Sequence, residues 1–143
     1  MITLNADRAI ADLGAILTRM AHLEPALSSI GARQVREVNA RIKDTKLEPD
    51  DLPWAPWAPF TRKQREEKGN VPQGLLWDTG TLLHSIRAQT GLNSVTIGTN
   101  VPYADELQYG RRDMPPRPFL GWGASDIRGA EMLVIQHIQG VPF

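Results

Sequence analysis

The sequence predicts an α+β fold, with helices segregated from a small antiparallel sheet. Three observations predict it. Apolar residues recur at three- and four-residue steps through the N-terminal third. Two short β segments joined by turn residues follow in the middle, at Ile86 to Thr90 and Ser94 to Thr99. A further helical pattern lies near the C-terminus.

Asn5 or Asp7 can cap a first helix running to about His22, whose stripe is Ile10, Leu13, Ile16, Leu17 and Met20. Glu24-Pro25 breaks that run and opens a second helix from about Pro25 to Lys43, because proline suits a first turn whose N–H has no partner anyway. Leu27, Ile30, Gln34, Val38 and Ile42 form its stripe, and Gly31 weakens it by about 1 kcal/mol relative to alanine. The two read as an antiparallel or angled helical pair. From Leu47 to Phe60 the periodicity stops. Pro49, Pro53, Pro56 and Pro59 remove backbone donors, while Trp54, Trp57 and Phe60 supply apolar anchors, so this is an extended loop rather than a flexible linker.

Thr61 can cap a short helix from Arg62 to about Lys68, ended by Gly69-Asn70. Thr81 to Ser85 suits one helical turn. Gly91-Leu92-Asn93 joins the two β segments. Val101-Pro102 opens a helix through Gln108, and a proline-rich loop, Arg111 to Pro118, follows. Phe119-Leu120 reads as a strand or an extended tether. Ser125 or Asp126 caps a last helix to about Ile138. The whole fits a single domain, divided into a helical pair (1–46), a Pro/Trp-rich loop (47–60) and an α+β body (61–143). A two-stranded sheet has free edges, which neighbouring subunits can cover.

Composition narrows the function. The chain has 143 residues, 16 Lys+Arg against 16 Asp+Glu, and no cysteine. Without cysteine there is no disulfide framework and no thiolate metal site. No apolar run approaches the ~20 residues of a membrane span, and the first residues lack the basic start of a signal peptide. Zero net charge does not suggest a non-specific nucleic-acid binder, and it leaves copies of the chain free to associate.

A search for chemistry finds no strong signal. His22, His84 and His137 lie in different segments without ligand spacing, so no metal is expected. Ser85 and Ser94 lack a nucleophile elbow. The glycines around Trp122 and Arg111 match neither a P-loop nor a dinucleotide fingerprint, so no cofactor is expected. Asp105 and Glu106 are adjacent on a helix and point apart. Arg62, Lys63 and Arg65 can meet phosphates or line a channel that DNA crosses, although Glu66 and Glu67 cancel half of that patch. Met114 to Pro118 resembles a polyproline ligand, but its flanking Phe119 and Leu120 suit a stiff loop anchored to a core.

One ordered set of motifs is more specific. After the tryptophan-rich loop with Thr61 and Lys63 come Leu76-Trp77-Asp78-Thr79-Gly80-Thr81-Leu82, Val95-Thr96-Ile97-Gly98-Thr99-Asn100, Pro102-Tyr103-Ala104, Gln108-Tyr109-Gly110 and Pro116-Arg117-Pro118-Phe119-Leu120-Gly121. Over about Trp54 to Ile138 this resembles the phage virion morphogenesis family, the group of the Mu-like G protein and the P2-like tail completion protein S. The chain departs from that pattern at Thr81, where a basic residue is usual, and at Leu107, where histidine is frequent. The resemblance implies a non-enzymatic virion component at the tail or neck, assembled in the host bacterial cytoplasm. It would act as a tail completion or tail terminator protein in head–tail joining, within a homo-oligomeric ring, most often sixfold at the tail end, that meets other tail or head-connector proteins. The alternative is a DNA-contacting head-completion or packaging accessory, and a small hydrolase is a third, weaker class. Under the first reading Trp54, Trp57, Arg117 and Phe119 are the candidate intersubunit residues, with Arg117 held between prolines for a neighbour's carboxylate. Packing within one subunit is the competing reading for all four.

Overall fold

The computed structural model describes residues 6–143. Among them are six α-helices and one two-stranded antiparallel sheet, so the fold is α+β.

Helix α1 (Asp7–Ala21) is amphipathic, yet none of its residues is buried. Asn5 lies outside the described residues. Asp7 is not the cap but sits in the first turn, where its charge complements the helix dipole. Helix α2 (Glu24–Ala40) starts with proline in its first turn, as the sequence predicts. The chain then widens into a π turn, Arg41–Thr45, closed by Lys46 in the left-handed conformation (φ 60°). The helical path therefore passes Lys43 with looser winding, and consecutive Arg41 and Ile42 are both buried.

Helices α1 and α2 do not form a paired unit apart from the body. Helix α2 packs against the sheet and against α6 (Ala124–Gln139), and α1 packs on α6. The sheet is β1 (Arg87–Thr90) with β2 (Val95–Gly98), in register Arg87 with Gly98 and Thr90 with Val95. Gly31 explains itself here. A Cβ at this position would lie 2.9 Å from both Ala88 Cβ and Val95 Cγ2, so the glycine that weakens the helix lets it touch the hairpin.

Helix α3 (Pro59–Glu67) starts three residues before the expected Arg62, with Ala58 and not Thr61 in the cap position, because Pro59 already has the φ of a first helical turn and Ala58 precedes it in an extended conformation. Gly69 ends this segment at φ 71°. Helix α4 (Thr81–Ser85) and helix α5 (Ala104–Tyr109) are short. Phe119-Leu120 is the extended tether and not a strand. Both backbone N–H groups donate to Gln108 Oε1, at 3.1 and 3.0 Å, so no ladder is needed to satisfy them. Neither Ser125 nor Asp126 is the cap of α6. Gly123 holds that place, and Asp126, three residues on, accepts its N–H at 2.8 Å.

The core gathers Val38 from α2, Ile42 from the π turn, Trp54 from the loop, Leu76, Leu82, Leu83, Ile86, Ala104 and Phe119. A loop residue and a tether residue thus sit at the centre beside the helices.

Candidate assembly surfaces

The proline-rich segments are fastened to the body by side chains that satisfy their carbonyls. The Trp54 ring is buried, and its Nε1–H donates to Pro118 O at 2.7 Å. Arg117 is 6% exposed, with Nε donating to Ala55 O at 2.7 Å and Nη2 to Pro56 O at 2.6 Å. Prolines leave these loops short of donors but not of acceptors, and a guanidinium supplies a rigid fork of donors to the orphaned carbonyls. Burial pulls the Arg117 pKa down, but an arginine remains charged. Phe119, two residues further along, is fully buried. Trp54, Arg117 and Phe119 are therefore engaged within their own chain, and the Arg117 fork clasps the 47–60 loop. Gln108, which the sequence reading took only as a helix end, also donates from Nε2 to Leu120 O at 2.8 Å.

Trp57 is half-buried. Its Nε1–H donates to Leu75 O at 3.2 Å, and Arg65 lies 5.2 Å over its ring. Arg65 also donates to Trp77 O at 2.9 Å and pairs with Asp78 at 3.3 Å, so this cation is largely engaged inside the chain. Arg62 is exposed and paired with Glu66 at 3.0 Å, and Lys63 is exposed beside it. Asp78 accepts a hydrogen bond from Asn70 Nδ2 at 2.6 Å and so fixes the approach to α4 through side chains.

A second buried polar cluster joins α2 to α6. Arg41 pairs with Asp126, which is 1% exposed, and also donates to Gly121 O at 3.3 Å. Gln34 Nε2 donates to the same carbonyl at 3.0 Å, while Gln34 Oε1 is buried without a partner among the described residues. The sequence reading placed Gln34 on an apolar stripe and gave Arg41 no role. An arginine on the buried face of a helix was the one available signal.

At the other end of α6 two helix ends cap one another. Arg19 Nε donates to Ile138 O at 2.7 Å. His137 Nε2 faces His22 O at 2.7 Å and Arg19 O at 3.0 Å, and with two acceptors opposite, this nitrogen carries the proton. Each cation or donor thus satisfies the last carbonyls of the other helix. Gly140, at φ 73°, gives the Arg19 guanidinium room, since a Cβ there would lie 3.2 Å from it.

Two apolar surfaces remain uncovered. On α1, Ile10, Leu13, Leu17 and Met20 are 51 to 66% exposed. Beside α6, Trp122 just ahead of the helix and Ile127 and Ile135 on it border an open hollow of about 470 Å³. Among the described residues no group of three or more His, Asp or Glu is placed to hold a metal ion, and no helix is long and apolar enough to cross a membrane.

Clasped loops, a small core and uncovered helix faces define a small α+β protein. The phage virion morphogenesis family matches the chain over residues 5–139, nearly its whole length, and the chain belongs to that family. No curated protein and no solved structure matches it. It is accordingly a structural protein of bacteriophage morphogenesis.

Proposed function

We propose that this protein completes the phage tail at the head–tail junction, as a tail terminator or neck component, and that it works as a homo-oligomeric ring that meets other tail or head-connector proteins. Family membership supports the setting. The observation that carries the ring is the pair of large apolar faces, on α1 and α6, which the chain itself leaves in water. Extended apolar patches of this kind mark interaction surfaces. The role is assembly and not catalysis.

The DNA-contacting alternative draws less support. Arg62 is paired with Glu66, and Arg65 is engaged by Asp78, Trp57 and Trp77, which leaves Lys63 as the most open cation of the three candidates. Contact with passing DNA would then be weak and independent of base sequence.

The test is genetic. A phage carrying this gene, with the gene interrupted by a stop codon, should release filled heads and separate tails when examined by electron microscopy. Adding the purified protein to that lysate should restore joined, infectious particles. Intact virions without the gene product would overturn the reading.

A further inference from the structure

We propose that α1 of one copy lies antiparallel along α6 of the next, covering the hollow between Trp122, Ile127 and Ile135, and that this head-to-tail contact links the subunits. The inference rests on the ring reading above and names its contact.

Helix α1 needs such a cover. An isolated helix of 15 residues is marginal in water, and packing of the apolar face normally supplies the missing stability. In this chain α1 touches its own α6, yet most of that face stays in water, because Ile10 is 66%, Leu13 59% and Leu17 65% exposed. The helix is fastened near its C-terminal end, through Arg19 and the His137 cap.

Area favours a second copy as the occupant. At roughly 200 Å² for each large apolar side chain, the four α1 residues expose about 500 Å² and the three at α6 about 300 Å². Joined face to face they bury about 800 Å² of apolar surface, and with a polar rim this reaches the ~1,200–2,000 Å² of a standard interface. Pairing α1 with a second α1 would leave the α6 hollow open. Pairing α1 with α6 covers both, and a heterologous contact of that kind closes into a ring when its rotation permits.

Charge selects the direction. Arg8 and Asp12 are exposed on α1, and Arg128 and Glu131 are exposed on α6. Antiparallel helices set Arg8 by Glu131 and Asp12 by Arg128. Parallel helices would oppose like charges at both places, which costs specificity and affinity.

The absence of native cysteine makes introduced thiols unique probes. The full chain carrying both Leu13→Cys and Ile127→Cys, which the register above sets opposite one another, should form a ladder of disulfide-linked multimers under mild oxidation. A mixture of the two single variants should give dimers. Leu13→Cys alone should not, nor should Leu92→Cys on the exposed hairpin turn. Arg8→Glu should lower cross-linking several-fold, and adding Glu131→Arg should restore it. A fast-migrating closed monomer from the double variant would show α1 covering its own α6, and a dimer of Leu13→Cys alone would show α1 pairing with α1. Either result, or no cross-link at all, overturns the contact. The genetic test reports on the junction role separately, so the two readings can fail independently.

Discussion

Single side chains carry the loops of this protein. Trp54 fills the core and also bonds Pro118 O, so Trp54→Ala should lower unfolding free energy by ~3–5 kcal/mol, read from urea denaturation followed by circular dichroism. Trp54→Phe keeps most of the volume and loses the hydrogen bond, and should cost far less. Arg41 and Asp126 are a starker case because both are buried. Removing one leaves an uncompensated charge, so Asp126→Ala should cost ~3–5 kcal/mol. Arg41→Met combined with Asp126→Ala should recover a good part of that loss. A double variant no better than the single would show that the ion pair is not what holds α2 to α6.

Glycines separate the elements that are packed from the one that is not. At Gly31 a methyl group would collide with Ala88 and Val95, so Gly31→Ala should destabilise by ~1–3 kcal/mol despite its better helix propensity. At Gly14, in the middle of α1, nothing lies within 4 Å of an added Cβ. Gly14→Ala should therefore stabilise, by up to ~1 kcal/mol, visible as a higher denaturation midpoint. Opposite signs from one substitution in two adjacent helices would confirm which helix packs. Element positions were legible in the sequence because they rest on local signals, namely apolar periodicity, Pro25 at a helix start and Gly69 at a helix end. Their boundaries were less so. Pro59 outcompeted Thr61 as a start signal, and Gln108 removed the need for a strand at Phe119 by satisfying its N–H from a distance.

At the scale of the whole molecule, the legible part was the family, since its motifs keep their order along the chain. The role of each motif residue was harder to see. Arg117 between prolines looks the same in sequence whether its fork faces a neighbour or its own loop, because Ala55 O and Pro56 O lie some sixty positions away. The uncovered faces were likewise hidden, since an apolar stripe on α1 predicts burial without saying in which molecule. That difference is measurable. Ile10→Gln with Leu17→Gln should change the stability of the isolated chain by no more than ~0.5 kcal/mol, because both side chains already face water. On the contact proposed above, the same pair should abolish higher-mass species in light scattering.

The mutual capping of Arg19 and His137 has a mechanical side. Helix α1 is fixed near one end and, at 15 residues, reaches about 22 Å from it. A rotation of about ten degrees near His22 therefore sweeps the far tip through about 4 Å, while the core about Phe119 stays as it is. On the contact proposed above, the same rigid body could in this way meet neighbours set at slightly different angles, with the helix acting as a lever that absorbs the mismatch.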